Sequence, residues 1–158
     1  MSMRAAMEPW EVAARLAIRG AVEENFFHYD HDDMPAAYAV FTEDGVLELP
    51  PGQRVRHGRA DILERFSHRP DGRLGEYGYV RHNVTNHHVT QLTSTSASAV
   101  SYYLVHSDGA IVSAGVFHDE FVVVHGEWLI SHRRIRMDFA TVPVATAART
   151  AAPTEEHP

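Results

Sequence analysis

The sequence contains no cysteine among its 158 residues. A disulfide framework and thiolate metal sites are therefore excluded, and the absence fits a reducing compartment, so we expect a cytoplasmic protein. Positive charge is also scarce, because lysine and arginine together number 14 against 21 acidic residues, which gives a formal charge of −7. Binding to nucleic acid or to an anionic membrane surface would favour the opposite balance, so neither partner is expected.

Long apolar runs and recognisable cofactor motifs are missing as well. No apolar segment approaches the roughly 20 residues that a membrane-spanning helix needs, and residues 1–9 do not form a signal peptide. No HExxH or cupin-type motif is present, and no glycine-rich loop opens a helix after a strand. The sequence therefore predicts neither a metal nor a cofactor. The alternative is a metal site in which His82, His106 and His118 converge across neighbouring strands.

Histidine, in contrast, is abundant, with twelve residues. Because histidine titrates near neutral pH, such an excess draws attention to acid–base chemistry. Most of these residues are expected to be surface or structural, among them His28, His31, His87, His88, His125 and His132.

The segment from residue 8 to residue 31 is predicted to be one amphipathic helix. At 100° per residue an arc about 160° wide holds its apolar side chains. Asp30 falls inside this arc, where an unpaired carboxylate would cost several kcal/mol, whereas Asp32 and Asp33 belong to the helix end and to the next cap. The apolar residues predicted to face the core are Val12, Leu16, Ile18, Val22, Phe26 and Tyr29.

The rest of the chain predicts a short helix, a hairpin, a third helix and a long antiparallel meander. The second helix covers 33–41, with Asp33 as its cap, and "RADILERF" forms the third helix. Segregated helices and strands predict an α+β fold in which three N-terminal helices cover one face of a strongly curved, mostly antiparallel sheet. The sheet would form a cone with an internal cavity, the usual place for a small ligand. The four long strands are predicted at 79–91, 95–107, 110–125 and 127–139.

One domain over residues 1–140 is expected from the length of the chain. Residues 141–158 are rich in alanine, threonine and proline and contain no aromatic residue, which predicts a disordered tail. The glycine- and proline-rich stretch 69–78 predicts a loop.

Four segments carry a resemblance to a known family: "YDHDDMPAAYAVFTEDGVLEL", "HGRADILERF", "RHNVTN" and "GVFHDEFVVVHGEWLISHRRI". They resemble the SnoaL-like and scytalone-dehydratase-like branch of the cone-shaped α+β superfamily named after nuclear transport factor two. The resemblance spans roughly residues 8–138. It implies the fold more strongly than the function, since this superfamily includes dehydratases, cyclases, isomerases and non-catalytic subunits.

The resemblance also implies a set of site residues. Tyr29 and Asp30 stand where the dehydratases carry a Tyr-Asp pair, His82 matches their first strand histidine, and His106 matches the second by its spacing. His82 lies between Val80 and Val84 on an otherwise apolar strand face, which independently suggests an inward position.

Two features of the dehydratase pattern are missing. A tyrosine on the first short strand is replaced by Glu48 or Leu49, and Tyr102 or Tyr103 is the candidate to supply a phenol instead. The cavity asparagine of the family has no clear counterpart, with Ser113 as the nearest candidate.

These residues fit the removal of water from a β-hydroxy carbonyl compound. A neutral His82 held by Asp30 would take the proton next to the carbonyl, Tyr29 would polarise the carbonyl, and His106 would bind or protonate the leaving oxygen. The sequence thus favours a cofactor-free dehydratase, with or without a coupled cyclisation, acting on a small, apolar, oxygenated substrate of the aromatic polyketide type.

Two alternatives remain open at this point. A polyketide cyclase or ketosteroid-type isomerase would need the same base without a leaving group. A non-catalytic ligand-binding or subunit domain would leave Asp30 facing solvent. The resemblance further implies a homodimer or homotrimer, because members of the superfamily commonly pair through the open sheet face.

Overall fold

The computed structural model describes residues 6–67, 80–107 and 109–141. The predicted order of helices and strands is confirmed over these ranges, whereas the predicted loop at 69–78 and the tail from residue 142 lie outside the described residues. None of the described helices is long and apolar enough to cross a membrane. The elements are α1 (Pro9–Asp30), α2 (Met34–Ala39), β1 (Phe41–Glu48), β2 (Arg56–His57), α3 (Arg59–Ser67), β3 (Arg81–Leu92), β4 (Ser96–Ser107), β5 (Ala110–Val124) and β6 (Glu127–Ala140).

The six described strands form one curved, unclosed sheet in the order β2-β1-β6-β5-β4-β3. All neighbouring pairs are antiparallel except β1 and β6, which run parallel. Helix α1 packs on β3 and β6, and α3 packs on β1. The α+β fold with a mostly antiparallel sheet is therefore confirmed, while the cone with an internal cavity stays a prediction.

Helix α1 buries a narrower stripe than the sequence predicts. Val12 and Leu16, both expected in the core, are 43% and 66% exposed. The reason is that the buried stripe is rotated away from Val12 and Leu16, toward two alanines and a polar residue, so the helix approaches the sheet along a face that hydrophobicity alone does not mark. The buried residues are Ala14, Ile18, Ala21, Val22, Asn25 and Tyr29.

Local sequence chemistry explains the ends of several elements. The side chain of Asp33 accepts a hydrogen bond from the backbone N–H of Ala36, as expected of the cap of α2. The turn between β5 and β6 has positive φ at both His125 and Gly126, which is the backbone that a two-residue hairpin requires. Both the predicted cap and the predicted hairpin are confirmed.

Candidate active site

The centre of the site is a contact between the last residue of α1 and the second residue of β3. The Asp30 carboxylate accepts the backbone N–H of His82 on Oδ2 at 2.7 Å, and its Oδ1 lies 2.6 Å from His82 Nδ1. Both side chains are nearly buried, with 7% of the Asp30 side chain and 10% of the His82 side chain exposed. The predicted inward position of Asp30 is thus explained by a partner that satisfies both of its oxygens.

This contact determines how His82 presents its ring. An ionised carboxylate can only accept hydrogen bonds, so Nδ1 of His82 must carry the proton. In the neutral imidazole the other nitrogen, Nε2, then holds the free lone pair. The arrangement gives a histidine whose Nε2 can accept a proton and whose Nδ1 stays hydrogen-bonded to a carboxylate throughout.

Aromatic rings hold the imidazole of His82 in place from two sides. Phe26 stacks on it with ring centroids 4.9 Å apart and an angle of 20° between the ring planes. Tyr29 meets it edge-on at 4.9 Å and 86°. Because Phe26, Tyr29 and Asp30 all belong to the last turns of α1, one helix end fixes both the position and the orientation of His82.

Tyr29 is therefore brought together with Asp30 and His82, as the sequence suggests. Its side chain is buried and also packs edge-on against the rings of Tyr38 and Phe66, with ring centroids 6.4 Å and 5.9 Å away. Burial raises the pKa of Tyr38 far above its ordinary value.

His106 does not join this group. In the β3–β4 register His82 pairs with Val105, whereas His106 pairs with Arg81. Since directly paired residues share a sheet face and successive residues alternate, His106 points to the face opposite His82. There its Nδ1 lies 2.8 Å from Nδ2 of Asn83. The expected grouping of His106 with the other three residues is wrong, because the strand alternation places Ser101, Tyr103 and Val105 inward.

The register also separates the histidines of the alternative metal site. His118 pairs with Val100 and so shares the outer face with His106, away from His82. Among the described residues no cluster of three or more possible ligands is close enough to hold a metal ion.

A sequence profile of the SnoaL-like domain matches residues 10–134, which include α1 except its first residue, β1 to β5, the first part of β6 and every site residue described above. The chain belongs to the SnoaL-like family. No protein of curated function matches it.

Solved structures share this SnoaL-like fold. A provisionally named scytalone dehydratase from Novosphingobium aromaticivorans DSM 12444 is 21% identical over 92% of this chain and 100% of its own, with a TM-score of 0.73. A type 2 hexachlorocyclohexane dehydrochlorinase, LinA, is 16% identical over 88% and 97%, with a TM-score of 0.70. At these identities the two likenesses concern the fold alone. ActVI-ORFA from Streptomyces coelicolor is 25% identical over 81% and 98%, with a TM-score of 0.65.

The SnoaL-like domain also contains a buried ionic network that the sequence did not reveal. Arg133 donates from Nε and Nη2 to the two carboxylate oxygens of Asp119, each at 2.7 Å, and from Nη1 to Oδ1 of Asn25 at 2.6 Å. All three residues are only 2% exposed. The guanidinium also lies over the ring of Phe117, 4.7 Å from its centroid. The network joins α1 to β5 and β6, directly beneath the helix turns that hold His82.

Two further polar side chains lie on the inner face, and both were secondary candidates from the sequence. Tyr103 is 4% exposed, its ring stacks on Phe117 at 4.4 Å, and its hydroxyl is hydrogen-bonded to the side chain of Ser113. Burial raises the pKa of Tyr103 above its ordinary value, and the hydrogen bond from Ser113 offsets part of that rise.

Gly115 makes room for the Tyr103 ring. A Cβ on Gly115 would overlap the carbonyl oxygen of Arg136 and would lie 2.8 Å from both Cε1 and the hydroxyl oxygen of Tyr103. We expect Gly115→Ala to destabilise the fold by about 3 kcal/mol, because the obstructing carbonyl is backbone and cannot swing aside. Urea denaturation of the purified variant measures this loss.

Gly20→Ala is the matched control. Nothing lies within 4 Å of a Cβ at that helical position, so alanine should stabilise the protein slightly, through its higher helix propensity. Equal stability changes for the two variants would contradict the close packing of Tyr103 on Gly115.

Proposed function

We propose that this protein is a cofactor-independent dehydratase that removes water from a small, apolar, oxygenated molecule by His-Asp acid–base catalysis. The observation that carries the proposal is the Asp30–His82 pair, in which a nearly buried carboxylate holds the imidazole by two hydrogen bonds. A buried charge of this kind is costly unless it is paired. The pairing leaves Nε2 of His82 as the base.

The chemistry follows from that base. Nε2 removes the proton on the carbon next to the substrate carbonyl, and the electrons of the C–H bond form the new carbon–carbon double bond as the C–O bond to the β-hydroxyl breaks. The imidazolium then gives its proton to the departing hydroxide, so that water leaves and His82 returns to its neutral form. Asp30 stabilises the imidazolium in between.

Tyr29 is the proposed donor to the substrate carbonyl. Its ring lies edge-on against the imidazole of His82, and in this scheme its hydroxyl and Nε2 act on the same small molecule. A phenol that donates a hydrogen bond to the carbonyl stabilises the enolate as charge develops on oxygen.

The names of two solved structures that share this fold support elimination chemistry. One name refers to a dehydratase and the other to a dehydrochlorinase, and both reactions abstract a proton and expel a leaving group from the neighbouring carbon. The burial and pairing of Asp30 weigh against a purely structural subunit, for which a solvent-facing carboxylate would be expected.

The test uses 3-hydroxy-1-tetralone, a bicyclic β-hydroxy ketone that yields 1-naphthol when it loses water. Incubation with the purified protein should give a product lighter by one water in mass spectrometry. Unchanged substrate mass in ordinary water, with exchange of the α-proton in heavy water, would favour the isomerase or cyclase alternative. Neither water loss nor exchange, with this and related β-hydroxy ketones, would contradict enzymatic function at this site.

A further inference from the structure

A bulge in β3 turns the side chain of His87 toward the interior. Two residues of β3, Asn86 and His87, stand opposite the single residue Ser101 of β4, where the pairing register shifts. Asn86 has a positive φ of 51°. A bulge of this kind bends the strand and re-aims a side chain. As a result Nδ1 of His87 lies 2.8 Å from the hydroxyl oxygen of Ser101, a residue that is 1% exposed on the inner face.

The other ring nitrogen of His87 is buried without a hydrogen bond. Nε2 has no partner among the residues that the structure describes. A protonated imidazole carries an N–H on both nitrogens, so a proton on this ring would create a charged, buried donor with no acceptor. Such a donor costs far more free energy than a neutral ring in the same place. The folded arrangement therefore favours the neutral form of His87.

The charged groups around His87 do not supply the missing acceptor. Two carboxylates lie near the ring, Glu23 of α1 and Asp119 of β5. Both oxygens of Asp119 accept from Arg133 of β6, and Glu23 accepts from Arg19 of its own helix. Burial lowers the pKa of His87, the two carboxylates oppose that shift only in part, and the two arginines add to it. His87 thus stays neutral at a pH where an exposed histidine is charged.

The strand that carries His87 is placed to respond to a proton. Among the described strands β3 lies at one edge of the sheet, where it pairs with β4 alone and packs on α1. The bulge interrupts its ladder of backbone hydrogen bonds. Segments with few supporting contacts open at a lower free energy than central strands do. Because β3 also carries His82, an opening of this strand separates His82 from Asp30.

We propose that His87 is a proton-operated latch, which holds β3 against α1 when it is neutral and releases the strand when it takes up a proton. In the open form His87 takes up a proton near pH 6.5, its ordinary pKa, whereas the closed form takes it up only at lower pH. The open form is therefore favoured increasingly as the pH falls below about 6.5. The latch acts on the position of His82 whatever reaction the site performs.

Hydrogen–deuterium exchange of the β3 amides tests the latch, with protection factors used to remove the intrinsic pH dependence of exchange. Between about pH 7.5 and pH 5.5 the protection of β3 should fall about twofold to tenfold more in the wild type than in His87→Gln. Tenfold is the limit for one imidazole that titrates only in the open form. His88→Gln is the matched control, because His88 is the next residue of β3 and is exposed. It should show the pH dependence of the wild type.

Three results would overturn the proposal. A difference below twofold between the wild type and His87→Gln would show that a proton on His87 does not govern the strand. Protection of β3 equal to that of β5 and β6 at both pH values would show that β3 opens only when the whole domain unfolds. Nuclear magnetic resonance titration of the wild type needs no variant. The ring signals of His87 should titrate at lower pH than those of His88, and equal midpoints would be the third contrary result.

Discussion

Replacing His82 by alanine is expected to lower the turnover of 3-hydroxy-1-tetralone by a factor of about 10²–10⁴, the usual contribution of one positioned acid–base group. Asp30→Asn should lower it within the same range. An asparagine keeps the size of the side chain but loses the charge that fixes the Nδ1 proton and stabilises the imidazolium. Steady-state kinetics on both variants measures the effect.

Two neighbouring substitutions serve as controls. His88→Ala removes an exposed histidine from the same strand, and Asp32→Asn changes an exposed carboxylate just beyond α1, in a left-handed conformation that asparagine also tolerates. Both should retain wild-type turnover. If His82→Ala and Asp30→Asn, shown to be folded by circular dichroism, also retain full turnover, the dyad has no catalytic role.

The second large effect concerns stability. Arg133→Met should lower the free energy of unfolding by about 3–5 kcal/mol, because it leaves Asp119 charged and buried without its partner. The double variant Arg133→Met/Asp119→Leu should recover part of that loss, since an apolar pair of similar volume needs no compensation, while Oδ1 of the buried Asn25 stays without its donor. Urea denaturation of both variants and the wild type gives the comparison.

Arg134→Met is the control for this prediction, because Arg134 is the next residue of β6 and is exposed on the outer face. Its stability should change by no more than about 0.5 kcal/mol. A loss below about 1 kcal/mol for Arg133→Met would show that Asp119 finds other compensation. A double variant less stable than Arg133→Met would show that the charges themselves are required.

The contact between Asp30 and His82 could be anticipated because two independent patterns pointed to it. Asp30 fell within the apolar arc of its helix, and His82 lay between two valines on one strand face. Each position would be unfavourable for a polar side chain without a partner. The cost of burial was therefore visible in the sequence, and a pairing of the two residues was its simplest resolution.

The position of His106 could not be read in the same way. On β4 the odd residues Ser101, Tyr103 and Val105 and the even residues Val100, Tyr102 and Leu104 are almost equally apolar. The alternation of side chains along a strand does not show which face is buried when both faces carry similar side chains. The face was decided by the register with β3 and β5, which is a long-range property.

The Arg133 network escaped notice for a related reason. Asn25, Asp119 and Arg133 are far apart in the sequence, and each alone suggests an exposed residue. Only the pairing of β5 with β6 beneath α1 brings them together. The same network explains why α1 buries a polar residue in the middle of its stripe, and hence why Val12 and Leu16 were wrongly placed in the core.

The parallel pairing of β1 with β6 has a consequence for how the chain folds. The first and last of the described strands are neighbours within the sheet, so β1 and β2 cannot join the meander until β6 has been synthesised. Until then Asp119 and Asn25 lack Arg133, and α1, which carries Asp30, is not yet joined to the sheet by the complete network. Closing a contact between such distant segments is slow, and we infer that this domain folds late, after most of its chain has left the ribosome.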